Sequence, residues 1–218
     1  ITWLPVGGIE RRLVSIVPRL RERGFHMRLI CIRELGPLAA ELTAQDIPVN
    51  LIHLKSRLDP IGINQLCREF KTQQPQIVHA HMYRSSVPAT IAAHYAKVPV
   101  IFSQVHNVGT WESKRQAGMD RFLSKWRTGT IAVSESVQRD VCQTLGLSAD
   151  SVPVLYNGSD TEKFQPDHRS RAIARKALEL HDNHLMALVP ARLHSNKNPK
   201  GVIDAFLAAR QKITDLAH

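Results

Sequence analysis

The sequence predicts an α/β fold built on a parallel sheet with helices on both faces. Short, continuously apolar runs rich in Val and Ile recur along the chain, as expected of strands buried on both sides. Amphipathic segments with helical spacing lie between them, and alternation of strand with helix is the signature of parallel pairing. With 218 residues, 43% of them hydrophobic, the chain can enclose a sizeable core.

Taken in order, Ile1-Thr2-Trp3-Leu4 lacks the basic start and long apolar centre of a signal peptide. It reads as the end of a strand that begins upstream. A helix is predicted over Glu10–Arg23, with Leu13, Ile16, Val17 and Leu20 on one face and Gly24 as its stop. Pro18 inside it predicts a kink. Strands are expected at Met27–Ile32, Val49–Leu54, Gln76–Ala80, Val100–Val105 and Thr130–Val133. Helices are expected at Ile61–Gln73, Ser86–Ala96, Glu112–Trp126 and Glu135–Leu145. A strand at Val152–Tyr156 ends on an Asn157-Gly158 turn, and the polar stretch that follows marks a boundary. The expected domains are 1–160, Rossmann-like, and 161–218, the beginning of a second domain. That second part carries a helix at Arg171–Leu180, a strand at Leu185–Ala191 and a helix at Pro199–Ile213.

Bulk properties exclude several classes. No apolar run approaches the length that spans a bilayer. The net charge is +10, which attracts phosphorylated substrates, anionic headgroups or nucleic acid. The basic residues are scattered and only 6% of residues are aromatic, which argues against single-stranded nucleic acid. Cys31, Cys67 and Cys142 form no paired motif and read as reduced thiols of a cytoplasmic protein.

Ligands of parallel sheets gather beyond the carboxyl ends of the strands, and this rule selects candidates. Gly7-Gly8 sits where a strand turns into a helix, suited to an anion or equally to a plain βα turn. His79 and His81 alternate on one strand face, but no carboxylate or thiol completes a metal site, so no metal is expected. His106 follows a strand and can hydrogen-bond a sugar hydroxyl or move a proton. Ser134 reads first as a helix cap, because no nucleophile elbow surrounds it. Asn157 and Asp160 belong to the Asn157-Gly158-Ser159-Asp160 segment. Arg192 and Lys197 follow an apolar run, and together they suit a diphosphate.

These segments resemble those of the family 4 glycosyltransferases, retaining enzymes of the GT-B fold. The resemblance rests on Gly7-Gly8-Ile9-Glu10, Val78-His79-Ala80-His81, Ala132-Val133-Ser134-Glu135-Ser136, Asn157-Gly158-Ser159-Asp160 with Phe164, and Arg192-Leu193-His194-Ser195-Asn196-Lys197. It implies an N-terminal lobe followed by the opening of a truncated C-terminal lobe. It also implies transfer of a sugar from a nucleotide-sugar donor to a carbohydrate or lipid-linked acceptor, with retained configuration and no cofactor or metal. Gly7 and Gly8 would lie near the donor phosphates, His106 would act as the catalytic contact to the sugar, and Arg192 and Lys197 would bind the diphosphate. His79, His81, Ser134, Asn157 and Asp160 would line the cleft, and acceptor contacts would come from loops such as Met82–Ser86 and Gly109–Gly118. Two positions depart from the pattern, Ala191 and Asn198 standing where glycines are usual, and the acidic region of the second lobe is absent. The fragment alone is therefore expected to be inactive. Basic helix faces imply peripheral contact with an anionic membrane from the cytoplasmic side. Alternatives are a non-catalytic nucleotide-sugar or polyanion binder and an epimerase of the same fold; a nucleic-acid partner is not expected.

Overall fold

The computed structural model describes residues 1–191, 193 and 195–216. The chain divides into two compact units, Ile1–Asp160 and Thr161–His218.

In the first unit every strand pairing is parallel. Strands β1 (Leu29–Cys31) and β2 (Val49–Leu51) form one sheet. Strands β3 (Ile77–His81), β4 (Val100–Val105) and β5 (Gly129–Ala132) form another, in that order. Residues 1–4 run beside β1: the Ile32 amide donates to the Ile1 carbonyl (3.1 Å), and Leu4 N donates to Leu35 O (3.0 Å). Gly36 then closes over Leu4 with φ +77°, and a Cβ there would stand 2.4 Å from the Leu4 carbonyl oxygen. Only glycine fits both the left-handed backbone and the contact.

Helices α1 (Gly8–Glu22), α2 (Ala39–Thr43), α3 (Pro60–Gln73), α4 (Tyr83–Tyr95), α5 (Lys114–Ser124) and α6 (Glu135–Leu145) connect and cover the strands. Helix α6 illustrates why they form. Val137, Val141 and Leu145 recur every four residues and are buried, each worth roughly 1.5–3 kcal/mol of transfer from water. Ser134 caps the start, accepting from Val137 N at 3.3 Å, and Gly146 at φ +66° ends it. Pro18 does not break α1, which runs continuously from Gly8 to Glu22. The proline removes one intrahelical bond, while buried Val14 and Val17 hold the turns on either side against the core.

Three expectations fail. The strand expected at Val152–Tyr156 is a single bridge, Ala132 to Val154, because Pro153 has no amide to extend the ladder. Asn157-Gly158 makes no turn. Leu155 N donates to Ala132 O (2.8 Å) and Asp160 pairs with Arg19 (2.7 Å), which keeps that segment drawn out. The turn comes at 161–163 instead.

The second unit contains α7 (His168–Ala177), capped by Asp167, and α8 (Pro199–Leu216). Leu185–Ala191 is no strand; Leu185 is 83% and Leu188 73% exposed. Among the described residues no strand stands beside it in this unit, so its backbone lacks a ladder partner.

Candidate active site

The carboxyl ends of β3 and β4 bring three histidines together. Burial of Val78 and Ala80 turns His79 and His81 to the other side of β3, where their rings stack at 4.3 Å. His106 follows β4, and its Nε2 lies 3.2 Å from His81 Nδ1. On the other side its Nδ1 faces Arg12 Nη2 of α1, 3.4 Å away. A guanidinium only donates, so His106 Nδ1 accepts. In its neutral form the proton then sits on Nε2, where it is donated to His81. Burial, reinforced by the Arg12 charge, pushes the His106 pKa down to about 4. Burial also holds buried His81 well below the ordinary histidine value. At neutral pH the two imidazoles are uncharged hydrogen-bonding groups. Either His106 nitrogen reaches a ligand only by releasing Arg12 or His81.

The turn from β3 into α4 is made by Met82, whose φ of +68° and ψ of 150° are costly for any side chain, about 1–3 kcal/mol. The surroundings hold it there. Met82 N donates to Gln104 O (3.0 Å), and its carbonyl accepts from Ser85 N and Ser86 N. Ser85 Oγ donates to His81 O, and Ser86 Oγ meets Ser103 Oγ of β4 at 2.7 Å. Beyond β4, the loop to α5 is tied at several points. Gly109 N donates to Asp140 (2.9 Å), Thr110 Oγ1 to Asn107 O (2.7 Å), and Trp111 Nε1 to Asp120 (3.0 Å).

Between these two connections opens a cavity of about 350 Å³, with Arg57, Met82, Tyr83, Arg84, His106 and Glu112 in its wall. A larger cavity, about 640 Å³, lies between β1 and β3 and draws on Met27, Pro48 and Gln76 at the amino ends of the strands. Ligands of parallel sheets bind at the opposite, carboxyl end. The smaller cavity is therefore the candidate site.

The residues selected from sequence do not all meet there. His106 lines the cavity and His81 stands behind it, while His79 lines the larger one. Gly7 caps α1, and a Cβ on it would meet the Glu10 carboxylate at 2.4 Å, a contact that the end of a flexible side chain can yield. Nothing lies within 4 Å of the corresponding position on Gly8, so its face is open. Ser134 spends its hydroxyl on the helix cap. Asn157 is exposed, Asp160 pairs with Arg19, and none of these three is in the cavity wall. In the second unit Lys197 is exposed on a short turn, Ser195–Lys197, and Arg192 lies outside the described residues. Asn198, where a glycine is usual, has φ +47°, a conformation asparagine tolerates better than most residues. Sequence reasoning missed Arg12 and Arg57. A signal existed for Arg12, which lies four residues beyond Gly8 and hence one turn along the same helix face. None existed for Arg57.

Among the described residues no group of three or more His, Cys, Asp or Glu is placed to hold a metal ion. The same residues include no helix long and apolar enough to cross a membrane.

Residues 6–163 match the profile of Glycosyltransferase Family 4. An Escherichia coli UDP-Gal:α-D-GlcNAc-diphosphoundecaprenol α-1,3-galactosyltransferase is 26% identical over 204 residues, 89% of this chain and 52% of that protein. A glycosyltransferase structure from Rickettsia africae superposes with a TM-score of 0.72 at 18% identity, covering 88% of this chain and 52% of the other. Anabaena HepE in complex with UDP-glucose gives 0.65 at 21%, covering 84% and 50%. At such identities the two structures show the fold alone. The chain spans about half the length of these relatives.

Proposed function

The chain belongs to Glycosyltransferase Family 4, and from that premise we propose that its gene product moves a sugar from a uridine diphosphate sugar to a carbohydrate or lipid-linked acceptor with retention of configuration. The carrying observation is the arrangement at the carboxyl ends of β3 and β4. An uncharged His81–His106 pair anchored by Arg12 stands at the wall of a polar cavity of about 350 Å³. Once His106 releases Arg12 or His81, its neutral imidazole offers a hydrogen bond to a sugar hydroxyl without adding a charge of its own beside a developing oxocarbenium ion. The bound face of the sugar is then set by groups that do not titrate near neutrality.

By its free N–H groups the open α1 start at Gly7 and Gly8 suits a phosphate, and the donor's diphosphate is assigned to Arg192 and Lys197. These cations offset the charge that builds on the leaving group, so turnover proceeds without a metal. The same-face attack that retains configuration passes the acceptor's proton to the departing phosphate. Basic surface residues bring the protein to anionic membrane, where a lipid-linked acceptor resides.

The test is a panel of uridine diphosphate sugars incubated with the intact gene product, with UDP release measured and the product anomer assigned by NMR. One sugar releasing UDP and giving the donor's anomeric configuration is the expected result, unchanged by EDTA. No UDP release from any donor overturns the proposal.

A further inference from the structure

The cavity beside His106 carries more positive charge than the transfer reaction explains. Arg57 is half-buried, with its guanidinium carbon 4.9 Å from the centre of the Tyr83 ring. That cation–π contact leaves the N–H groups of the guanidinium free to donate. Arg84, one residue further along, lines the same space. Neither arginine forms an ion pair or hydrogen bond among the described residues. The one carboxylate in the wall, Glu112, accepts from Gln116 Nε2 at 3.2 Å, and Gln116 in turn accepts from Glu112 N. Tyr83 is itself held, its hydroxyl donating to Gln116 O at 3.2 Å. The result is a rigid aromatic platform, two uncommitted guanidinium groups and one carboxylate already in use.

Two guanidinium groups in the wall of one cavity, Arg57 half-buried and Arg84 exposed, exceed what a neutral sugar needs. They match a group with several oxygens and more than one negative charge, because each can give two parallel N–H bonds to it. Elsewhere in the wall Asn107 offers a side-chain amide to a sugar ring, while Thr110 and Gln116, already bonded to Asn107 and Glu112, keep an acceptor oxygen and a second N–H. We propose that the acceptor carries a phosphoryl or diphosphoryl group, that Arg57 and Arg84 bind that group, and that the polar wall beside His106 takes the attached sugar. Arg57 and Arg84 are thus specificity-determining residues for a phosphorylated acceptor. The inference rests on the transferase reading above and adds its acceptor class.

The group has two sources, a soluble sugar phosphate or a sugar on a prenyl diphosphate, and the experiment separates them. With the intact gene product and its best uridine diphosphate sugar, transfer is compared for a free sugar, its 1-phosphate and the same sugar on a short prenyl diphosphate. At least one phosphorylated form is expected to have a kcat/KM about tenfold or more above that of the free sugar, and the better of the two names the source. In Arg57→Gln and Arg84→Gln that preference collapses through KM. Binding is read separately by titrating inorganic pyrophosphate calorimetrically into protein saturated with UDP, so that donor sites are filled. Wild type binds and both variants lose about tenfold or more in affinity. Equal use of free and phosphorylated sugars, or undiminished pyrophosphate binding in both variants, overturns the proposal. Absence of UDP release from every donor is instead a failure of the transferase reading. Circular dichroism on both variants separates lost recognition from lost folding.

Discussion

Replacing Asp120 by alanine tests how the loop beside the candidate site is held. Asp120 and Arg127 form an ion pair at 2.5 Å, with side chains 2% and 0% exposed. The second carboxylate oxygen of Asp120 accepts from Trp111 Nε1 at 3.0 Å, which pins the loop after β4 to α5. Arg127 Nε donates to Thr90 of α4 at 2.9 Å, and Nη1 has no partner. Removing the carboxylate therefore deletes two charge-assisted hydrogen bonds, one from Arg127 and one from Trp111. It also strands a guanidinium in a site from which water is excluded. Breaking a buried pair from one side costs about 3–5 kcal/mol, mostly through the charge left behind. For a chain of this size that is a fall in Tm of about 6–20 °C. Urea unfolding followed by tryptophan fluorescence measures it directly. The double variant Asp120→Leu, Arg127→Met removes both charges and should recover most of the loss. A cost below about 1 kcal/mol for Asp120→Ala, or a double variant no more stable than the single, refutes the argument.

Three further outcomes are expected. Because His106 has a folded pKa near 4 against an ordinary value of 6.5, the unfolded chain binds its proton first on acidification. Stability should thus fall as pH drops from about 6.5 to about 4 and be insensitive to this group above that range; a His106→Asn variant whose urea midpoint changes in parallel with wild type would contradict it. Gly36→Ala introduces a Cβ at φ +77° that meets the Leu4 backbone, and a loss of about 2 kcal/mol or more is expected in chemical denaturation. Arg192→Ala and Lys197→Ala should each reduce kcat/KM of the intact gene product by about 2–4 kcal/mol of transition-state stabilisation, and near-normal turnover in both variants removes their assigned role.

Much of the architecture was legible from residue order. Val100–Val105 and Glu135–Leu145 match their expected limits, because a short run opening on Val100-Ile101-Phe102 and a Ser134-to-Gly146 capping pattern are local signals. Such signals depend on near neighbours, which a linear sequence displays. The strands expected at Val152–Tyr156 and Leu185–Ala191 had the same apolar character, yet one is a single bridge and the other unpaired. Whether an apolar run becomes a strand depends on a partner's backbone, and that partner is remote in sequence.

The candidate site divides along the same line. Residue types and the rule for parallel sheets were enough to place His81 and His106 at strand ends. Their coupling was not readable, because the Arg12–His106 contact spans 94 positions and the His81–His106 contact 25. Arg57 lines the cavity beside Tyr83, a residue remote from it in sequence that follows the strained Met82 junction. Local chemistry thus specified which elements form and which groups end them. Long-range packing set the protonation of the histidines and the company of the arginines, since desolvation and hydrogen-bond partners exist only once distant segments meet.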